Sequence, residues 1–430
     1  MLISLRFRSL LINRPHPIAQ HEVVSMLVSS QPRGYGITVV NQFVFLFNVQ
    51  ESILVWNWVS GQCHAKLNYS SSEPIIDVIP LQRTTFMAIR LSREGPKLEV
   101  YTFSARPPDA EFPPPILRAV YLPPLLQRGV QMAMRCRCDP PPLQYSDLIH
   151  PKLDDLPIPT PSYLKRPFQI NETSRILAFG IQVWKHTIDP ADMEFRDIAL
   201  FAPPDTFLPP GLDPEAPAGD LLEIPASEWM RKSRIISDLP LRRMWVCYIY
   251  GTRFAALGRH DPDQSSSEES EEDLIKPKPQ HLYIYDFNAE AIARLAHEQE
   301  QDLDADFDLG LDADAEDDLG GNMILEWTDS ADKADIKLVI GKDELSDDEF
   351  FKEPLCCEAP YMVSKAKEPI EVGDDEHLEV MIDDERMILV RVSEGGVALL
   401  SLGADVLPPQ LRFDAQTHMS DLGALEVYTI

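Results

Sequence analysis

Residues Ile53-Leu54-Val55-Trp56-Asn57-Trp58-Val59-Ser60-Gly61 decide the fold. β-Branched and aromatic side chains at Ile53, Val55 and Trp56 suit a pleated, half-buried surface, and Ser60-Gly61 supplies the chemistry of a chain reversal. A strand closed by a tight turn is therefore predicted here. Runs of the same kind lie on both sides: Thr38 to Phe47, Thr85 to Leu91, Leu98 to Phe103, Met132 to Cys136 and Arg175 to Trp184. The second half continues with Met244 to Tyr250, Leu282 to Phe287, Ile336 to Ile340, Met387 to Val392 and Val397 to Leu402. Asp383-Asp384-Glu385-Arg386, Glu394-Gly395-Gly396 and Gly251-Thr252-Arg253 read as turns between such runs. The 38 prolines against 19 glycines favour short strands joined by loops, because proline removes a backbone donor and breaks helices and central strands. Helix is expected only over Ala289 to Gln301 and Cys357 to Lys365.

Strand after strand with turns between predicts an all-β protein, a WD-like β-propeller or propeller-like array of four-stranded blades. In a WD-type blade a Trp-Asp pair closes the third strand and a Thr-Gly or Ser-Gly turn leads into the fourth. Trp56, Asn57, Trp58 and Gly61 form the blade signature, with Asn57 where the aspartate would stand. The amide keeps an acceptor for turn backbone and loses the charge. An antiparallel hairpin of a β-sandwich is the alternative for this segment alone. The expected layout is an N-terminal extension over 1–37 with a truncated start, a propeller-like domain over 38–402, and a tail over 403–430. Two acidic insertions, about 260–280 and 299–321, are expected to be disordered, since low-hydrophobicity, highly charged segments cannot offset their ordering entropy.

The formal charge of −30 and pI near 4.6 exclude a general binder of phosphate backbones, because an acidic surface repels nucleic acid and anionic membranes at long range. Residues 261–320 hold 20 Asp or Glu against 3 Lys or Arg, so more than half of the excess is local. Six cysteines in 430 residues do not make a disulfide scaffold, and no apolar run is long enough to span a bilayer. An intracellular protein of the cytoplasm or nucleus, with no membrane or nucleic-acid partner, is expected.

No residue can be assigned as catalytic, cofactor-binding or metal-binding, and no cofactor is expected. The alternation Asp302-Leu303-Asp304-Ala305-Asp306 invites a calcium reading, but a loop begun at Asp304 puts Leu309 where glycine is needed and Ala315 where a bidentate glutamate is needed. Cys136-Arg137-Cys138 lacks the second pair a structural zinc requires, and adjacent Cys356-Cys357 would point to opposite faces of a strand, so buried structural thiols are expected. Ser265, Ser266, Ser267, Ser270 and Ser346 precede acidic residues, the context of acid-directed kinases, and are candidate phosphorylation sites; the alternative is a solvated acidic loop.

The order of motifs resembles the propeller-like region of the divergent F-box protein family of mushroom-forming (basidiomycete) fungi. Ile53 to Gly61 is similar to its Val-Trp-Asp-Trp-x-Thr-Gly blade, and Leu98-Glu99-Val100-Tyr101 to its Leu-x-Ile-Tyr strand. Ala199-Leu200-Phe201-Ala202-Pro203, Ile224-Pro225-Ala226-Ser227-Glu228-Trp229, Tyr248-Ile249-Tyr250-Gly251-Thr252-Arg253, Tyr285-Asp286-Phe287-Asn288 and Val380-Met381-Ile382-Asp383-Asp384 follow in the family's order. The Leu-Pro-led helical segment of an F-box is not found before Gln42. The resemblance implies a protein-interaction module that selects protein substrates for ubiquitination, with a ubiquitin-ligase adaptor as partner only where an F-box lies upstream. Two other classes compete: an acidic scaffold that binds a basic partner through 261–320, and a propeller-fold enzyme with its site in the central channel.

Overall fold

The structure is a computed structural model and describes residues 2–7, 19–27, 35–48, 52–70, 72–106, 112–138, 175–185, 194–217, 219–237, 239, 249–258, 280–306, 323–328, 334–347, 349–367, 370, 376–382, 386–393 and 396–403. The chain is mostly β-sheet. It divides into two compact units, 1–235 with 344–357, and 236–343 with 358–430.

In the first unit, β1 (Leu2–Arg6) and β2 (Val23–Leu27) form an antiparallel pair. Sheet 1 is a meander of β3 (Tyr35–Val40), β4 (Phe43–Asn48), β5 (Ser52–Asn57) and β6 (Gln62–Asn68) in sequence order. The opening stretch is its third strand. The run expected as one strand over Thr38 to Phe47 is a hairpin instead, because Asn41 takes the left-handed conformation (φ 51) and turns the chain. Sheet 2 repeats the meander with β7 (Ile75–Gln82), β8 (Thr85–Ser92), β9 (Gly95–Thr102) and β10 (Ile116–Tyr121). Sheet 3 begins with β11 (Val130–Arg137), β12 (Leu177–Lys185) and β13 (Glu194–Ala202). The chain then adds β14 (Leu222–Ile224) in parallel to β10, makes the single turn α1 (Ala226–Trp229), and completes sheet 3 with β15 (Arg234–Ser237).

Sheets 1, 2 and 3 stack face to face, and sheet 2 is buried on both sides. Alternate residues of a strand point to opposite faces. Phe86 and Ala88 of β8 pack with Phe43, Phe45 and Val55 of sheet 1. Met87 and Ile89, on the other face, pack with Met132, Met134, Phe179 and Leu200 of sheet 3. Edge-to-face aromatic pairs knit the first interface, Phe45 with Phe86 at 5.6 Å and Phe43 with Phe103 at 5.0 Å. Each such side chain contributes about 2 kcal/mol through burial alone, and burial on both faces matches the unbroken apolar stretch Phe86-Met87-Ala88-Ile89 of β8.

The second unit holds β16 (Ile249–Tyr250), β17 (Arg253–Gly258), β18 (His281–Asp286), α2 (Ala289–Asp306), β19 (Met323–Thr328) and β20 (Ala334–Ile340). Short strands β21 (Asp343–Leu345) and β22 (Leu355–Cys357) pair with each other and, from Glu344 on, belong to the first unit; in the second unit β23 (Tyr361–Ala366) enters between β18 and β20. A three-stranded meander of β24 (Glu376–Ile382), β25 (Arg386–Ser393) and β26 (Gly396–Gly403) follows. β17 and β18 pair from Arg253↔Asp286 to Gly258↔His281, so the first acidic insertion lies between the two strands of a hairpin, with 259–279 outside the described residues. Two expectations are corrected. Residues 357–365 form the end of β22 and most of β23, not a helix, because Pro360 biases Ala359 away from helix and Tyr361 and Val363 favour strand. The helix at Ala289 runs on to Asp306, so residues 299–306 of the second insertion are helical; 307–321 lie outside the described residues. Among the described residues no helix is long and apolar enough to cross a membrane.

Candidate functional site

The four signature residues meet at the end of β5. The Asn57 side-chain oxygen accepts hydrogen bonds from the backbone N–H of Val59 (3.0 Å) and Ser60 (3.2 Å), an Asx turn. Gly61 completes the reversal at φ 71 and donates its N–H to the Asn57 carbonyl at 2.8 Å. Trp58 donates its backbone N–H to Gln42 and its indole N–H to the Asn41 carbonyl (2.7 Å), and its ring stacks on Phe7. Trp56 is half-buried with its ring edge-on to Phe112. These contacts make the cluster a clasp between strands, with its polar atoms turned to the fold itself.

The clasp recurs where the sequence reading did not look for it. Trp58, Phe103 and Phe287 each follow the last residue of a third strand, and each donates its N–H to the turn before the second strand: to Gln42 (2.9 Å), Thr84 (3.0 Å) and Thr252 (3.0 Å). The shared signal is apolar-aromatic-polar-aromatic: Val55-Trp56-Asn57-Trp58, Val100-Tyr101-Thr102-Phe103 and Ile284-Tyr285-Asp286-Phe287. What differs is the polar residue, and its cross-strand partner explains the difference. Asp286 faces Arg253 and accepts from its Nε at 3.2 Å, from Thr252 Oγ1 at 2.8 Å and from the Asn288 N–H at 3.0 Å. Asn57 faces Phe43, which is fully buried and offers no charge. Thr102 faces Thr85 and accepts from Arg118 Nε at 2.8 Å. The expected Trp-Asp aspartate is thus replaced by an amide where a carboxylate would lack a cation.

Arg118 also fastens a proline-rich loop. Its guanidinium donates to the carbonyls of Pro217 (2.8 Å) and Ala216 (2.5 Å), while the Glu215 carboxylate accepts from Ser104 Oγ and the Ala105 N–H. Other buried polar groups are internal as well. Arg90 Nε lies 2.8 Å from both Glu99 oxygens, and the Tyr101 hydroxyl donates to Glu99 at 2.6 Å; burial, and the carboxylate beside it, push the Tyr101 hydroxyl's pKa up. Asp77 accepts from the Cys136 N–H and from Arg137 Nη1, yet burial raises its carboxyl above the ordinary value. The Cys136 thiol is pushed well up by complete burial and then by Asp77, so it is a structural thiol. Cys357 is buried as expected, whereas Cys356 and Cys138 are partly exposed, so the expectation of buried thiols holds for one member of each pair. Among the described residues no group of three or more His, Cys, Asp or Glu could hold a metal ion.

The described residues of the first unit include an open concave site of about 600 Å³. Its floor is the loop that follows β10, with Pro123, Pro124 and Leu126; α1 contributes Ala226, and the segment after Phe351 contributes Pro354 and Leu355. Backbone pairing fixes the wall. Leu122 donates to Ile224, Gln127 donates to Phe350, and Lys352 donates to Leu125, each at 2.9 Å. The Trp229 indole N–H reaches the Leu122 carbonyl at 3.0 Å, and its ring packs 5.5 Å from Phe207. Arg93, Glu94, Lys352 and Glu353 rim the opening, and Leu125 is 57% exposed beside it. The volume suits a side-chain cluster of a partner or a small molecule. Two prolines that cannot donate leave the loop stiff and its apolar surface pre-formed. Of the candidate phosphorylation sites, Ser346 is exposed next to Glu344, and Ser265, Ser266, Ser267 and Ser270 lie outside the described residues.

No protein-family model matches this chain, and no curated protein matches it either.

Proposed function

We propose that the chain is a non-catalytic protein-recognition module, a propeller-like array of blades related to the substrate receptors of F-box ubiquitin ligases. The supporting observation is the stack of sheets 1 to 3, with sheet 2 buried on both faces and with the clasp at the third-strand end repeated in sheets 1 and 2. Blades that pack this way leave their loops as the rigid docking face. The groove beside Leu125 takes an apolar anchor of a protein partner, and the charged rim orients it.

Quantitative affinity purification from the native host tests the reading, with the full chain, a Leu125→Asp variant and a deletion of 261–279 run side by side. A partner depleted at least tenfold by Leu125→Asp and retained by the deletion is the expected result. The reverse pattern, loss on deletion and retention in Leu125→Asp, would establish the acidic scaffold for a basic partner instead. Co-recovery of a cullin and its adaptor supports the ligase relation, and their absence from every preparation removes it.

A further inference from the structure

The first unit takes part of its core from far along the chain. Residues 344–357 belong to it and are anchored by Phe350, Phe351, Leu355 and Cys357, each at most 6% exposed. Asp347 organises the entry to this segment: its carbonyl accepts from the N–H of Phe350 (3.1 Å) and Phe351 (2.9 Å), and its carboxylate pairs with Arg196 of β13. Ser346 immediately precedes it, exposed and outside regular structure, with its hydroxyl 3.4 Å from a Glu344 oxygen. The other Glu344 oxygen receives the Cys356 thiol at 3.8 Å across the β21–β22 pair. The sequence after the hydroxyl is Asp347-Asp348-Glu349, and Glu349 is exposed.

We propose that Ser346 is a phosphorylation site of an acid-directed protein kinase, and that the phosphate loosens the backbone hydrogen bonds of Phe350 and Phe351 to Asp347 and of Lys352 to Leu125 while the buried side chains stay seated. Ser346 Oγ attacks the terminal phosphorus of a nucleoside triphosphate held by the kinase. The bond to the bridging oxygen breaks, the nucleoside diphosphate leaves, and the hydroxyl proton passes to the kinase's base. The product carries about −1.5 to −2 charges beside Glu344 and near Glu349, while Asp347 is already compensated by Arg196. Each like-charge pair a few ångströms apart in water shifts an equilibrium by about fivefold, less after salt screening, so the two pairs favour opening of these hydrogen bonds by roughly tenfold. Four buried side chains oppose ejection of the whole segment by about a million-fold, far beyond what one phosphate supplies. The effect is therefore local, and it falls on Lys352, whose N–H holds Leu125 at the cavity wall.

This inference rests on the 344–357 segment and stands apart from the recognition reading. Incubation of the full chain with an acid-directed kinase and a magnesium nucleoside triphosphate, followed by mass-spectrometric site mapping and amide hydrogen exchange, decides it. Expected are phosphate on Ser346 and exchange about tenfold faster at Phe350, Phe351 and Lys352, with the β8 amides unchanged; Ser346→Ala shows neither change. Phosphate confined to the 265–270 serines overturns the site, and phosphate on Ser346 with unchanged exchange overturns its consequence.

Discussion

Exchanging Asn57 and Asp286, each for the other's residue type, tests whether the cross-strand partner sets the charge at the end of a third strand. Asn57→Asp keeps an oxygen for the N–H groups of Val59 and Ser60, at 3.0 and 3.2 Å, but brings a carboxylate to a position 9% exposed and opposite the fully buried Phe43. An incompletely compensated charge at such a site costs about 1–3 kcal/mol. Asp286→Asn keeps one oxygen for Thr252 Oγ1 and the Asn288 N–H, but its NH2 replaces the oxygen that accepts from Arg253 Nε, so that hydrogen bond is lost with the charge attraction of a side chain 49% exposed. Solvent screening keeps the loss to about 0.5–1 kcal/mol. Asn57→Ala removes the acceptor altogether and leaves two partly buried donors to water, at about 1–2 kcal/mol. Urea unfolding of the three variants, compared at their midpoints, reads the order directly, and each kcal/mol corresponds to about 2–4 °C in a thermal scan of a unit this size. The expected ranking is that Asn57→Asp is more damaging than Asp286→Asn. A stability of Asn57→Asp equal to the unaltered protein, or a larger loss in Asp286→Asn, would refute the pairing rule.

Three further outcomes follow from the same geometry. Trp229→Ala, which empties a site 2% exposed and orphans the Leu122 carbonyl, should cost about 3–5 kcal/mol in urea unfolding, and Trp229→Phe about 1 kcal/mol. Arg118→Ala should cost about 1–2 kcal/mol and speed limited proteolysis near residues 213–217; an unchanged cleavage pattern would show that the loop is held without the guanidinium. Burial raises the Asp77 carboxyl above 3.8, opposed by Arg137 and by the N–H groups of Cys136 and Val78, so its contribution is fully present below that pH and is lost as pH rises through the folded value. Measured against Asp77→Asn, the unaltered protein should therefore lose stability as pH climbs above about 4, and a pH-independent difference would contradict the assignment.

The strands and their turns were legible because they are local. Trp56 to Gly61 carries its own turn chemistry, and a hydrogen bond from Val59 to a side chain two residues back needs no distant partner. The hairpin at Asn41 carries a local signal, an asparagine that is poor in strands and tolerates the left-handed turn, but it is only Asn41-Gln42 inside a long apolar run and is outweighed there by the β-branched and aromatic neighbours. The cavity was not legible at all. Its wall joins Gln127 to Phe351, 224 residues apart, and no periodicity links the two. The helix expected over Cys357 to Lys365 failed for a related reason: β23 sits between β18 and β20, and the ladder bonds on both sides outweigh weak helix propensity. The repeated clasp is legible in the sequence through the aromatic residues that flank its polar position, a pattern shared by Trp56-Asn57-Trp58, Tyr101-Thr102-Phe103 and Tyr285-Asp286-Phe287 whatever the polar residue is.

The clasp also bears on the proposed recognition. At three of the third-strand ends the polar atom matches what faces it: an amide opposite Phe43, a hydroxyl opposite Thr85, a carboxylate opposite Arg253. In sheet 3 the equivalent end is Ala202 opposite Leu177, with no polar side chain, and Pro203 follows where the other strands supply a donating N–H. A position whose chemistry follows its cross-strand neighbour is answering to the fold. Its hydrogen-bonding capacity is spent on turn backbone, so a partner approaching it would find little to bind. The Leu125 loop shows the opposite pattern: its backbone is tied to Phe350 and Lys352, its prolines add no donors, and a large apolar side chain is held outward at the rim. Stabilising such a loop from behind while leaving its leucine uncovered makes sense for a surface that meets another molecule, which is why Leu125, rather than Trp56 or Trp58, is the residue on which the recognition test turns.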